Sequence, residues 1–296
     1  MIKKGLTMSF VIEAESANYG EGIGNVTALK KMTRGNGDSF TYISRQALRY
    51  DIIQQMQADN TPLQLDKTVI QFHPDASVKD YPEIDLFGYM KTSKGTKTRA
   101  AVARLSNAIA LESFQADLDF LTNKGLFDRY LATSSEKGKE EKKGGNIAQS
   151  EIHHSYYTYT ITVDLDQVGI DSNDGTEITN NEKARRVNKL VNTLKYLYRD
   201  IKGRRENLSP IFAIGGVYDI KNPFFENRIK IKQNRIGTEA LKNVLSLDTH
   251  IAEQTCCGFI QGIFDNDNQI IDELNATSIS EFFSHIEHEI NVYYVN

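Results

Sequence analysis

Thr41-Tyr42-Ile43-Ser44-Arg45-Gln46-Ala47-Leu48-Arg49-Tyr50-Asp51-Ile52 is the stretch on which the reading of this chain turns. Ser44 is a good N-cap, and Ala47, Leu48, Ile52 and Ile53 give the helix expected over about 44–57 an apolar side. Arg45 and Arg49 are four residues apart, so they project from one side of that helix. Gln46 sits beside them in the first turn, where backbone N–H groups are free and the helix dipole favours an anion. Lys30, Lys31 and Arg34 lead into this start from a Gly- and Lys-rich loop. Two readings fit these residues: a seat for a phosphate backbone, or a solvated amphipathic helix with two ordinary arginines.

Upstream, residues 6–15 alternate apolar and polar (Met8, Phe10, Ile12, Ala14) and predict a half-buried strand. The glycine-spaced segment 18–25 turns the chain and is not a dinucleotide fingerprint. Downstream, Pro62, Pro74 and Pro82 punctuate polar sequence over 58–98, predicting a long excursion with one short strand at 84–90. Residues 99–111 read as strand, with helix competing because they are Ala-rich, and the charged low-complexity run 134–145 reads as a mobile loop. A strand is expected at 154–165, a helix at 180–201 and a buried strand at 211–218. Residues 221–226 read as a loop, 228–232 and 258–264 as short strands, and a helix from Ser278 or Ser280 to about Ile290 closes the chain. This order resembles βαββαβ, an α+β, ferredoxin-like layout used by many RNA-binding domains, here as a single domain with large insertions.

The 296 residues are 40% hydrophobic and 25% charged, ordinary for a soluble protein. No apolar run approaches the ~20 residues of a membrane span, and the start lacks a secretory core, so a cytoplasmic setting without a membrane partner is expected. The two cysteines, Cys256 and Cys257, are adjacent and read as small buried hydrophobes on a strand. A net charge of −4 argues against a nonspecific nucleic-acid binder, yet the average hides an asymmetry. Residues 183–205 carry nine basic side chains against the single acid Asp200, whereas after Lys242 there are nine acids and no Lys or Arg. One copy's acidic end could attract the next copy's basic middle, building filaments; each run also reads as a solvated face.

Six scattered histidines make no metal spacing, and His153 and His154 fall on opposite strand faces. No nucleophile elbow, phosphate-binding loop or paired-acid motif gives a case for an enzyme, a cofactor or a metal. Arg199, Lys202, Arg204 and Arg205 are expected to end the second helix, where cations either complement the dipole or meet nucleic acid. Tyr156, Tyr157 and Tyr159 could stack bases or fill core.

The run Ile43-Ser44-Arg45-Gln46-Ala47-Leu48-Arg49 resembles the Ser-x-Gln-x-Leu-[Lys/Arg] helix start of the CRISPR-associated backbone subunits, the Cas-seven superfamily, most nearly the DevR-like subunit of type I-B Cascade. Segments 15–20, 83–89, 146–151, 197–210 and 215–218 resemble the family in the same order, while the C-terminal part matches least. The resemblance implies an RRM-like palm with fingers inserted at about 58–98 and a thumb with its mobile loop at 113–151. It further implies copies stacked head-to-tail along a CRISPR RNA (crRNA), with other Cascade subunits and the target DNA strand as partners. Ser44, Gln46 and Arg49 match the family's RNA-backbone helix, while Arg45 falls where the motif is variable. With them, Asn25, Lys30, Lys31, Arg34, Arg99, Arg204 and Arg205 are the candidate RNA contacts. Related type III subunits cut RNA with an aspartate in the glycine-rich loop; here that place reads Gly22-Ile23-Gly24-Asn25. The expectation is therefore binding without cutting. Two rivals are a guide-directed ribonuclease using Asp38, and a transcription regulator, for which no helix-turn-helix is evident.

Overall fold

The computed structural model describes residues 3–15, 18–24, 26–92, 95–133 and 147–295. Strand Gly5–Ala14 lies inside a nine-stranded sheet, and its alternation decides what each face becomes. Leu6, Met8, Phe10 and Ile12 point to one side and are fully buried. The strand pairs antiparallel with Ser155–Asp164 over its whole length, from Gly5↔Asp164 to Ala14↔Ser155, and with Phe212–Tyr218 on its other edge. Beyond Ser155–Asp164 follow Ala108–Ala110, Ser39–Ile43 and Lys31–Thr33, with Ala103–Leu105 paired further along the same strand. Beyond Phe212–Tyr218 follow Cys256–Phe259 and Thr277–Ser278.

Eight helices are described: α1 (Arg45–Gln55), α2 (Pro82–Phe87), α3 (Lys124–Thr133), α4 (Asn180–Lys195), α5 (Thr238–Leu245), α6 (Thr249–Glu253), α7 (Asp267–Leu274) and α8 (Ile279–Val295). Leu48 and Ile52 of α1, Val187, Leu190 and Leu194 of α4, and Phe282, Phe283, Ile286 and Ile290 of α8 share one core with the inward side of the central strand. Phe10 stacks on Phe283 with ring centroids 6.0 Å apart and lies 5.3 Å from Tyr159. A second core, under α5 and α7, joins Val11, Phe212, Ile214 and Phe259 on the opposite side. The consecutive Gly215 and Gly216 are demanded by proximity: a Cβ at the first would lie 2.1 Å from the Thr7 carbonyl oxygen, and at the second 1.8 Å from that of Gln254.

A separate four-stranded sheet runs in the order Asp117–Thr122, Ile147–Ile152, Val26–Leu29, Tyr19–Ile23. Its two halves meet in a parallel seam of Gln149↔Val26 and Ser150↔Thr27. Leu118, Phe120 and Leu121 on its edge strand are exposed, as are Leu126 and Tyr130 of α3. A second projection is the hairpin Leu63–Asp66/Val69–Phe72, which leaves Leu63, Leu65, Val69 and Ile70 in solvent.

Several expectations need correction. Residues 84–90 are not a strand: Pro82 at the first helical position, with Glu83 and Asp85 in the first turn, starts α2. Gly88, at φ +74°, then ends it and releases strand Tyr89–Lys91. The second helix stops at Lys195 rather than near 201, because Lys202 and Gly203 both take positive φ and fold Tyr198–Ile201 back on Arg204–Asn207 as a hairpin. Helices α5, α6 and α7 were not anticipated, the strand sought at 258–264 lies at Cys256–Phe259, and α8 continues to Val295. The run 134–145 lies outside the described residues. Among the described residues no helix is long and apolar enough to cross a membrane.

Candidate nucleic-acid interface

The start of α1 is held from three sides. Ser44 caps it, accepting from the Ala47 amide at 3.3 Å and donating its hydroxyl to Asn18 Oδ1 at 2.6 Å. The Arg45 amide donates to Asn107 Oδ1 at 2.9 Å, and the Leu48 amide to the Ser44 carbonyl at 3.1 Å. The amide of Gln46 is therefore the one in this first turn without a partner among the described residues. Asn18 and Asn107 thus set the position of this turn, and neither stood out in the sequence.

Around that open amide, Arg45, Gln46, Arg49 and Arg104 line a groove of about 380 Å³ with Phe87, Ala101, Ala103 and Leu105. Arg45 and Gln46 are exposed, and neither side chain has a partner among the described residues. Arg49 lies over the Phe87 ring at 5.1 Å, with its Nη2 3.7 Å from Glu83 Oε1. Burial lowers the pKa of Arg49 against the opposing pull of Glu83, and burial raises that of Glu83. Arg104, in a short edge segment read only as strand-like, comes to the groove because it pairs opposite Thr162.

The other predicted residues go elsewhere. Arg99 is turned inward, its guanidinium donating to Asp85 Oδ1 at 2.9 Å and to the carbonyls of Ile170 and Gln167 at 3.0 Å. Lys31 contacts both Glu151 carboxylate oxygens at 2.7 Å and lies 4.2 Å from the Phe114 ring centroid. Arg204 joins Glu15 at 2.6 Å to Glu206 at 2.7 Å, and Arg205 binds Asp200 through two bonds of 2.9 and 3.0 Å. Their hairpin docks at the far end of α1, where the Tyr198 amide donates to Gln55. Arg34 is exposed over Phe40, and Lys30 is half-buried. Asn25 lies outside the described residues. Asp38 is in an exposed turn, accepting from Asn36 Nδ2 at 2.5 Å. Among the described residues no group of three or more His, Cys, Asp or Glu could hold a metal ion.

The model of the family described as "CRISPR-associated negative auto-regulator DevR/Csa2" matches residues 6–237 of this chain. The chain belongs to that family. For this DevR/Csa2 member, the matched span takes in the central strands, α1, α4 and the groove, and leaves α5 to α8 outside. No curated protein sequence matches it. Its fold is similar to a chain of a "CRISPR RNA-guided surveillance complex, pre-nicking" at TM-score 0.64 and 11% identity, covering 97% of this chain and 99% of that one. A second, from a "CRISPR RNA-guided surveillance complex", gives TM-score 0.62 at 13% identity over 98% and 99%.

Proposed function

We propose that this chain is a non-catalytic crRNA-binding backbone subunit of a type I-B CRISPR Cascade effector. The observation that carries the reading is the groove at the start of α1, where Arg45, Gln46, Arg49 and Arg104 surround an open amide and Arg45 has no ion pair among the described residues. Cations and a helix N-terminus fix a sugar-phosphate backbone without reading its bases, leaving sequence to guide pairing with the target DNA strand. The palm reading is supported by the order Phe212–Tyr218, Gly5–Ala14, Ser155–Asp164, Ala108–Ala110, with α1 and α4 as the two crossovers, as a ferredoxin-like sheet requires. The hairpin at 63–72 is the proposed finger, and α3 with its exposed sheet the proposed thumb. Their apolar tips suit contact with further copies and other subunits. Lys30 and Arg34 are proposed as flanking contacts; Arg204 and Arg205 would join only by exchanging their carboxylate partners for phosphate.

The test is binding of the purified chain to RNAs of increasing length across a salt series, with stoichiometry followed by light scattering. Stepwise addition of copies at a fixed nucleotide interval, with the RNA intact, is expected. One-to-one binding would remove the filament, and cleavage lost in Asp38→Ala would make the chain a ribonuclease. Preference for one duplex DNA sequence would favour a regulator.

A further inference from the structure

Among the asparagines of this chain one is followed by glycine, Asn36-Gly37, and it stands in the turn that joins Lys31–Thr33 to Ser39–Ile43. Lys31–Thr33 is the outermost strand at its end of the large sheet, paired through Lys31↔Thr41, Met32↔Phe40 and Thr33↔Ser39. The turn is closed by the Arg34 amide donating to the Asp38 carbonyl and the Gly37 amide to the Arg34 carbonyl, each at 2.9 Å. Residues 33–38 are all exposed, and a Cβ built on Gly35 or Gly37 would meet nothing within 4 Å. Water and base therefore reach the Gly37 peptide nitrogen with no side chain in the way.

The Asn36 side chain is folded forward over that nitrogen. Its Oδ1 accepts from the Asp38 amide at 3.3 Å, and its Nδ2 donates to Asp38 Oδ2 at 2.5 Å. A side chain bonded to the residue two positions ahead has to span the peptide between them, which brings its Cγ over the Gly37 nitrogen. The N–H at Oδ1 also draws electron density from Cγ and so favours a nucleophile there. Attack is opposed by the Gly37 N–H bond to Arg34. At a short strand on the rim of the sheet, such a bond opens without disturbing the core.

We infer that Asn36 is a site of self-modification, at which the turn cyclises and then hydrolyses to aspartate or isoaspartate. Solvent base takes the Gly37 proton, and the nitrogen forms a bond to Asn36 Cγ. The Cγ–Nδ2 bond breaks, the leaving nitrogen taking a proton from water to depart as ammonia. Water then opens the cyclic imide. Cleavage between the Gly37 nitrogen and Cγ gives aspartate, and cleavage between that nitrogen and the Asn36 carbonyl carbon gives isoaspartate. Either product sets a carboxylate beside Asp38 where an amide had donated to it, replacing a hydrogen bond by like-charge repulsion. Arg34, which lies 4.3 Å from the Phe40 ring centroid at the same turn, then shares it with an added negative charge. Isoaspartate also lengthens the main chain by one carbon, so the turn no longer fits the register of the strands that it joins. The modification stands independently of the RNA-holding reading above, and its effect on RNA rests on that reading.

The experiment holds the purified full chain at neutral and at mildly alkaline pH for days. Peptide mass spectrometry locates amide-to-acid conversion, and enzymatic carboxyl methylation detects isoaspartate. Conversion is expected at Asn36 before any other asparagine, faster at the higher pH, with isoaspartate the larger product. Asn36→Gln, which would have to close a larger ring, should stay unmodified over the same period. Asn36→Asp and the aged chain should both bind RNA about twofold more weakly, the size expected of one partly screened charge. A native chain that gains no acid at Asn36 while the urea-unfolded chain does overturns the inference, because the turn then protects the residue. Earlier conversion at other asparagines also overturns it. Conversion at Asn36 with unchanged RNA affinity supports the site and overturns its effect on RNA. A fresh chain that binds no RNA overturns the functional reading, and the mass map still decides the modification.

Discussion

Arg45 and Arg49 differ in what opposes them. Arg45 has no ion pair among the described residues, so Arg45→Ala is expected to weaken RNA binding uniformly across sequences and flatten the salt slope by roughly 0.7. Arg49 shares its charge with Glu83, so Glu83→Gln should strengthen RNA binding about twofold; an unchanged titration would mean that the pair does not restrain Arg49. The sequence foretold this grouping as far as a four-residue helical spacing reaches. Arg104 was out of reach, because its membership depends on pairing with Thr162, distant along the chain. Asp51 provides a pH test. Burial lifts its carboxyl to about 6, against Arg199, which lowers it, and with Asp200, which raises it. A folded-state value above the unfolded one, about 3.9, means that its contribution is complete below about pH 4 and is lost as pH rises through about 6. Asp51→Asn should therefore be more stable than the parent at about pH 7.5, by about 1 kcal/mol once solvent screening is allowed for. Thermal melts across pH check this, and a difference that persists at about pH 3 would exclude Asp51 as its source.

Among the elements, those with a strong period were legible and those made by turns were not. The places of the central strand, α1 and the apolar stripe of α4 follow from spacing alone, although the strand is buried on both faces rather than half-buried, because Thr7, Ser9 and Val11 are covered as well. The C-terminal limit of α4 did not, because two adjacent positive-φ residues, Lys202 and Gly203, override a continuing helical pattern. The hairpin that they create pairs Arg199 and Arg204 with Glu206 and Arg205 with Asp200, and so turns three of the four cations expected at that helix end into scaffold. Helix α2 was missed for a similar reason: its cue is a proline at its start rather than a period. Its Asp85 is fully buried between Arg99 and Arg186, each at 2.9 Å. Burial raises the Asp85 carboxyl and the two guanidiniums oppose that rise. Asp85→Ala leaves Arg99 without an ion-pair partner among the described residues and Arg186 with Glu182 alone, and should cost about 3–5 kcal/mol, read as a lowered denaturation midpoint. The hairpin at 63–72 should behave in the opposite way. Leu65→Ser with Ile70→Ser, both exposed, should alter stability by no more than about 0.5 kcal/mol each, yet lower the number of copies that assemble on a long RNA.

At the scale of the whole molecule, the α+β class was legible from element order, whereas the second sheet was not. It joins strands from near the start of the chain to strands around α3, a pairing that no local pattern announces. The family match ends at residue 237, yet Phe282, Phe283, Ile286 and Ile290 of α8 lie in the same core as the central strand. A chain stopped after residue 275 should therefore lack cooperative melting altogether, even though its groove residues are all present. The parallel seam joining Val26 and Thr27 to Gln149 and Ser150 has one further consequence. Deuterium should enter the amides of residues 147–152 long before those of 5–11, which are paired on both edges and exchange only when the entire chain unfolds.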